Sequence, residues 1–187
     1  MVTGVIAYGL VVVFFVMEFR LRKGGSASSL DAGASDRGST LLVVGSLVVA
    51  VDLPLLLNWL DIGRFRLDAV AWFGLCVMIA GMGVRVWAMR VLGSFYSRTL
   101  RVEDSQTVVT DGPYRLVRHP GYLGSLMFWF GSGLALHNWL STLLVTAMMW
   151  GIYAYRIRAE EDMLLARLGQ PYEEYRSRSQ KLIPFVY

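Results

Sequence analysis

A single cysteine, Cys76, occurs in 187 residues, and it lies inside an apolar run. Neither a disulfide framework nor a cysteine-based metal site can be built from it. Charge is also scarce, at 17% of residues. A glycine-rich strand-turn-helix fingerprint is absent, which removes the nucleotide-binding folds that depend on one. The formal net charge of +4 has no nucleic-acid motif beside it, so the bases need another explanation. No inverted repeat is visible, which argues against a transporter.

Apolar side chain is what the sequence has in excess. At 55% hydrophobic residues and a mean hydropathy of +0.48, there is more than a soluble core of this size absorbs. It is arranged in runs of near-spanning length: Thr3 to Phe19, Leu41 to Leu60, Val70 to Met89, Tyr122 to Leu136 and Trp139 to Tyr155. Such runs are expected where lipid is the solvent for helices. The reading is therefore all-α, a polytopic membrane protein with five transmembrane helices. Only His137 and Asn138 separate the last two runs, which predicts a tight helical hairpin. Gly74, Gly81 and Gly83 in the third run allow close helix approach in lipid.

The bases orient the spans. Of the 18 Lys and Arg residues, fifteen fall in the first and third connections and the tail, two (Arg64 and Arg66) fall in the second connection, and Arg85 lies within a span. Lys and Arg concentrate on the cytoplasmic side, so the N-terminus is expected outside and the C-terminus in the cytoplasm. The first run carries its positive charge after it, not before it as a secretory signal would. Trp59, Trp72 and Trp139 then fall at outer span ends, where an aromatic belt belongs. The tail from about Arg156 to Lys181 reads as an amphipathic C-terminal helix broken at Gly169 and Pro171.

Ionisable residues at membrane depth are the first functional candidates. Asp52 lies near the middle of its span, with Pro54 two residues on; a protonated or hydrogen-bonded structural role is expected of it. Arg85 is about four residues from its span's cytoplasmic end and is expected to snorkel to the surface. Two polar constellations carry more. In TVVTDGPYRLVRHPGYLG (107–124), Arg115, Arg118 and His119 form a basic cluster just before Pro120, a residue favoured in the first turn of a helix. Such a cluster suits an anionic ligand or lipid head groups. In YRIRAEEDMLLARLGQPYEEY (155–175), Arg156 and Glu160 share a helix face at i, i+4 spacing. On spacing alone that is a surface pair of about 0.3–0.5 kcal/mol.

GPYRLVRHPGYLG, a short hairpin, RIRAEEDMLLARLGQPYEEY and a terminal IPFVY, in that order, resemble the isoprenylcysteine carboxyl methyltransferase and phospholipid methyltransferase family. The resemblance covers about Leu92 to Tyr187 and divides the chain into 1–91, a three-span membrane segment, and 92–187, a catalytic core integrated with it. It implies S-adenosyl-L-methionine as cofactor, contacted by Gln106, Thr107, Val108, Val109, Tyr114, His119, Pro120, Gly121, Tyr122 and Glu160. It places Arg156 at the substrate, as both catalytic and substrate-binding residue, with no metal. The partners it implies are the membrane and a lipid, prenylated or lipophilic small-molecule acceptor, with no nucleic acid. A prenylcysteine carboxylate, a phospholipid amine and a lipophilic thiol all fit, and an amine or thiol would need Glu161, His119 or a tyrosine as base. At Gln106 the eukaryotic carboxyl methyltransferases usually carry His. Sterol reductases share R-H-P-x-Y-x-G but usually place Asn and an acidic residue where this chain has Gly121 and Ser125. A non-catalytic membrane subunit is the third alternative.

The charge asymmetry yields a topology test. Reporter fusions near Gly33 and at the C-terminus should score cytoplasmic, and those within Asp61 to Asp68 or at His137 external. A C-terminus found outside would overturn both the orientation and a cofactor site facing the cytoplasm.

Overall fold

The computed structural model describes residues 2–20, 38–93 and 108–183. The first connection, Gln106, Thr107 and the last four residues of the terminal motif lie outside the described residues. The described residues form six α-helices: α1 (Val2–Arg20), α2 (Ser39–Trp59), α3 (Asp68–Leu92), α4 (Pro120–Ala135), α5 (Trp139–Leu168) and α6 (Gln170–Arg178). A 3-10 turn, Gly112–Arg115, precedes α4. Among the described residues there is no sheet, only two isolated bridges.

Helices α1, α2 and α3 are long and apolar enough to cross a membrane by length and composition. Their outward residues are those a soluble protein would bury, among them Val12, Phe19, Leu41, Val48 and Phe73. An apolar exterior this extensive belongs against hydrocarbon. At 16 residues α4 is shorter, about 24 Å at helical rise. In α5 an apolar half continues without interruption into a charged one.

Helix α4 is the centre of the bundle. Its buried residues lie on all sides, from Gly124, Ser125 and Leu126 through Phe128 and Trp129 to Gly131 and Ala135, which marks a helix enclosed by neighbours. The α1 residues Ala7, Val11 and Phe14 reach this core, and Phe14 stacks on Phe128 at 4.3 Å between ring centroids. Against α3 the approach is at backbone distance. A Cβ on Gly74 would lie 2.7 Å from the Gly131 carbonyl oxygen, and one on Gly124 would lie 2.5 Å from that of Gly81. The pairs 74/131 and 81/124 recur every seven residues on two antiparallel helices, so one glycine stripe runs against another. Gly83, grouped with them from sequence, faces open space.

The hairpin falls where the sequence predicts it. Asn138 caps α5 by accepting from Ser141 N at 2.8 Å, and its Nδ2 donates to Asn58 Oδ1 at 2.9 Å and to the Ile62 carbonyl at 2.8 Å. His137 takes a φ of 58° to make the turn, and the Trp139 amide bonds the Gly63 carbonyl at 2.9 Å. Trp59, Trp72 and Trp139 thus share one end of the bundle and are all exposed. Gly169 ends α5 with a φ of 61°, and Pro171 starts α6. Helix α6 is amphipathic, burying Tyr172 and Tyr175.

Gly124→Ala would force α3 and α4 apart, at a cost of about 1–3 kcal/mol for overpacking. Gly83→Ala meets nothing within 4 Å and serves as its control. Thermal unfolding in detergent should show a loss for the first and none for the second; equal melting temperatures would refute the glycine contact.

Candidate active site

The site forms at the end of the bundle opposite the Asn138 turn, where α4 begins and the charged half of α5 passes it. Pro120 occupies the first turn of α4, where its missing N–H leaves no helical bond unmade. This sets His119 just outside the helix and Tyr122 on its first turn.

Two consecutive glutamates on α5 reach these residues, one each. The Tyr122 hydroxyl donates to Glu160 Oε2 at 2.7 Å and accepts from Arg156 Nε at 2.8 Å. His119 Nε2 lies 3.2 Å from Glu161 Oε1. The rings of His119 and Tyr122 are 5.8 Å apart, and Tyr122 stacks on Tyr153 at 5.1 Å. His119, Tyr122, Arg156 and Glu160 therefore converge, with Pro120 and Gly121 as the turn between them.

The anion that Arg118 and His119 meet is a carboxylate of the chain itself, Glu161, in place of a ligand or a lipid head group. Arg118 Nε donates to it at 2.8 Å and Lys181 Nζ lies 3.7 Å away. Arg118 also donates to the carbonyls of Ser179 and Arg176, at the C-terminal end of α6, where a cation offsets the helix dipole. The tail then pairs with the loop, with Arg118 N bonded to the Gln180 carbonyl at 2.8 Å and His119 N to that of Lys181 at 3.2 Å. Arg118 is thus a buried clamp and not a lipid-facing patch, while Arg115 stays exposed. Burial by itself would raise the Glu161 carboxyl, but the hydrogen bonds from His119 and Arg118 outweigh it and hold the pKa at about 2. A carboxylate so strongly stabilised is a poor proton acceptor near neutrality, which weakens its case as a general base.

Arg85 does not snorkel. Its side chain is 12% exposed and ion-paired with Glu18 of α1, and Nη1 donates to the Gly121 carbonyl at 2.8 Å. The reason is that Glu18 lies at the same depth, and a buried pair is strongly destabilised if either partner is lost. Glu18 was missed from sequence although it is an acidic residue inside the first apolar run, the kind of signal that singled out Asp52. Asp52 itself is exposed on α2, thirteen residues and so about 20 Å along the axis from the Ser39 end that reaches the site.

The remaining candidates divide. Val108 and Val109 are half-buried in the segment before the 3-10 turn. Tyr114 is turned toward α3, its hydroxyl 3.5 Å from the Ala88 carbonyl, and its own carbonyl accepts from Tyr175 Oη at 2.7 Å; here it ties α6 to the loop. Ser39 and Thr40, which no sequence motif marked, bond Arg156. Among the described residues no group of His, Cys, Asp or Glu could hold a metal ion.

A helical integral membrane protein with a polar site at one end of its bundle is the class that these features define. Residues 72–166, which include the first polar motif and the Arg-Glu-Glu part of the second, match the model of the Isoprenylcysteine carboxyl methyltransferase (ICMT) family. Over 181 residues the chain is 30% identical to a "Probable protein-S-isoprenylcysteine O-methyltransferase" of Oryza sativa subsp. indica, covering 94% of this chain and 92% of that protein. It is 34% identical over 108 residues to the protein-S-isoprenylcysteine O-methyltransferase of Schizosaccharomyces pombe, covering 57% of this chain and 46% of that one. The fold is similar to a solved structure of the eukaryotic intramembrane Ras methyltransferase, with a TM-score of 0.70 and 27% identity over 98% of this chain and 68% of that chain. The chain belongs to the isoprenylcysteine carboxyl methyltransferase family, and with it to the membrane methyltransferases.

The Glu161 hub carries a pH signature. A pKa lowered on folding, from 4.5 to about 2, contributes stability that is fully present above 4.5 and is lost as pH falls toward 2. The melting-temperature gap between wild type and Glu161→Gln should therefore be constant above that window and close within it. A gap that persists unchanged to the acid end would remove the charged clamp.

Proposed function

We propose that this chain transfers a methyl group from S-adenosyl-L-methionine to the carboxylate of a prenylated cysteine at the cytoplasmic membrane face. The observation that carries this reading is the shared Tyr122 hydroxyl. It accepts from Arg156 and donates to Glu160, so a cation suited to an acceptor carboxylate and an anion suited to a cofactor stand on either side of one oxygen. The relatives named above as isoprenylcysteine O-methyltransferases support the choice of acceptor.

The residues present fit the cofactor. Glu160 offers a half-exposed carboxylate to hydroxyl or ammonium groups, beside the neighbouring rings of His119, Tyr122 and Tyr153. The buried Tyr172 hydroxyl has no hydrogen-bond partner among the described residues. It lies near enough to Glu161 and Glu160 that, after burial, their charges push its pKa well up. A neutral donor thus stands beside the glutamates, available to a bound polar group. Val108, Val109, Pro120 and Gly121, with Gln106, Thr107 and Tyr114, complete the set that we assign to the cofactor. When bound, S-adenosylmethionine would supply an electrophilic methyl group on a sulfonium.

The protein's task is then to bind and align. A carboxylate acceptor is already ionised at neutral pH and needs no base, only a position in line with the methyl carbon. Arg156, 5% exposed, keeps its charge and can give an acceptor carboxylate a charge-assisted hydrogen bond from Nη2. An amine or thiol would need a proton removed, and Glu161, held at about 2, is ill-suited to take it.

The accompanying topology is five spans, with α4 and α5 added to α1–α3, the N-terminus outside and the C-terminus in the cytoplasm. We read 1–91 and 92–187 as one integrated domain, because α3 of the first part and α4 of the second are packed backbone to backbone.

Two variants test the roles separately. Glu160→Gln should weaken S-adenosylmethionine binding by about 1.5–3 kcal/mol, the value of a charge-assisted hydrogen bond, without unfolding the protein. Arg156→Lys should abolish most transfer to a farnesylcysteine carboxylate while leaving cofactor affinity near wild type. Near-normal turnover with Arg156→Lys would remove Arg156 from the acceptor site, and unchanged affinity with Glu160→Gln would remove Glu160 from the cofactor site.

A further inference from the structure

Arg156 is rooted on α5, but two other helices hold its guanidinium. Nε bonds Tyr122 on α4, while Nη1 donates to Ser39 Oγ at 2.9 Å and to Thr40 Oγ1 at 3.0 Å on α2. Ser39, Thr40 and Arg156 are all buried. The two hydroxyl residues are the first two of α2, directly after Gly38, whose φ of 76° turns the chain into the helix. Such a turn is easy for glycine and strained for other residues. From there α2 runs along α5, with Ser46 Oγ 3.6 Å from Met149 Sδ two turns further on, so the first turn of α2 is registered against the guanidinium by packing.

We propose that Ser39 and Thr40 are positioning residues which fix the plane of the Arg156 guanidinium for the acceptor carboxylate, making the start of α2 part of the acceptor site. This rests on the acceptor role assigned to Arg156 above. One contact at Nε leaves the long side chain free to swing about it, whereas contacts at Nε and Nη1 from two directions set both the position and the tilt of the fork. The direction of the Nη2 N–H groups follows from that tilt, and a charge-assisted hydrogen bond to a carboxylate depends on direction. In-line displacement then depends on where the carboxylate oxygen is held. Hydroxyls suit the task because they satisfy buried N–H donors without adding a negative charge that would oppose an incoming carboxylate.

The test uses the full-length protein in detergent or nanodiscs, with N-acetyl-S-farnesylcysteine as acceptor and labelled S-adenosylmethionine as donor. Ser39→Ala combined with Thr40→Val removes both hydroxyls at nearly constant volume. We expect cofactor affinity within about twofold of wild type and acceptor kcat/KM lower by about 10- to 100-fold, the scale of a sub-ångström to 1 Å misplacement. Ser39→Ala with Thr40→Ser, which restores one hydroxyl, should recover part of the loss. Because the hydroxyls act through Arg156, adding Arg156→Lys to the double variant should cost far less than it costs the wild type. Losses that multiply instead would show independent roles and overturn the proposal, as would unaltered acceptor kinetics in the double variant. A second readout does not involve the acceptor. In ¹⁵N-arginine spectra, with the Arg156 signals identified by their disappearance in Arg156→Lys, the double variant should speed guanidinium rotation, and an unchanged rate would also overturn the proposal. If the wild type methylates no prenylcysteine, the acceptor reading of Arg156 falls, and the rotation rate alone decides whether Ser39 and Thr40 position it.

Discussion

Gly74 and Gly81 on α3 meet Gly131 and Gly124 on α4 with their backbones in contact, and the rest of the site takes its place from that meeting. In lipid there is no apolar surface to hide, so helices associate where small residues let them approach closely. Two glycine pairs seven residues apart fix both the separation and the register of α3 and α4. The first turn of α4 is thereby held beside Arg85, whose guanidinium reaches the Gly121 carbonyl while it pairs with Glu18. A slip of one residue would break that bond and displace Tyr122, the residue that Arg156 and Glu160 share.

The opposite end of α4 is held as firmly by other means. Asn138 is fully buried, caps α5 and ties the hairpin to α2 and to the 62–64 turn. Helices α4 and α5 are thus clamped at the turn, and the charged half of α5 must pass the start of α4. Consecutive residues on a helix differ by about 100° in direction. This is why Glu160 and Glu161 serve different partners, one facing Tyr122 and the other closing the Arg118, His119 and Lys181 clamp. That clamp brings the tail back over the loop. Among the described residues, helices, a turn and the returning tail form this site without a sheet, using polar groups where lipid no longer forbids them.

Among the described residues, three arginines with buried side chains meet different groups. Arg85 joins Glu18 and a backbone carbonyl in the first turn of α4, so it belongs to the framework. Arg118 joins Glu161 and carbonyls near the end of α6, so it closes the tail onto the loop. Arg156 is met by hydroxyls from α2 and α4, which hold a guanidinium in place without contributing negative charge of their own.

Much of this was legible from residues alone. Long apolar runs, a two-residue turn and Gly169–Pro171 specify helices and breaks locally, because hydrophobic period and backbone preference act over a few residues. The basic motif before α4 and the Arg-Glu-Glu motif on α5 were legible as polar islands in an apolar chain. Which partner each member takes was not. Tyr122 between Arg156 and Glu160, Arg118 on Glu161, Glu18 on Arg85, and Ser39 and Thr40 on Arg156 are pairs separated by 34 to 117 positions. Local pattern contains no information at that range. Sequence by itself determined that this chain forms membrane helices with two polar motifs at their ends, since continuous apolar runs of this length satisfy their own backbone groups in lipid as helices. Only the tertiary structure decided which side chains meet, because that depends on the depth and rotation at which the α3 and α4 glycines lock the helices together.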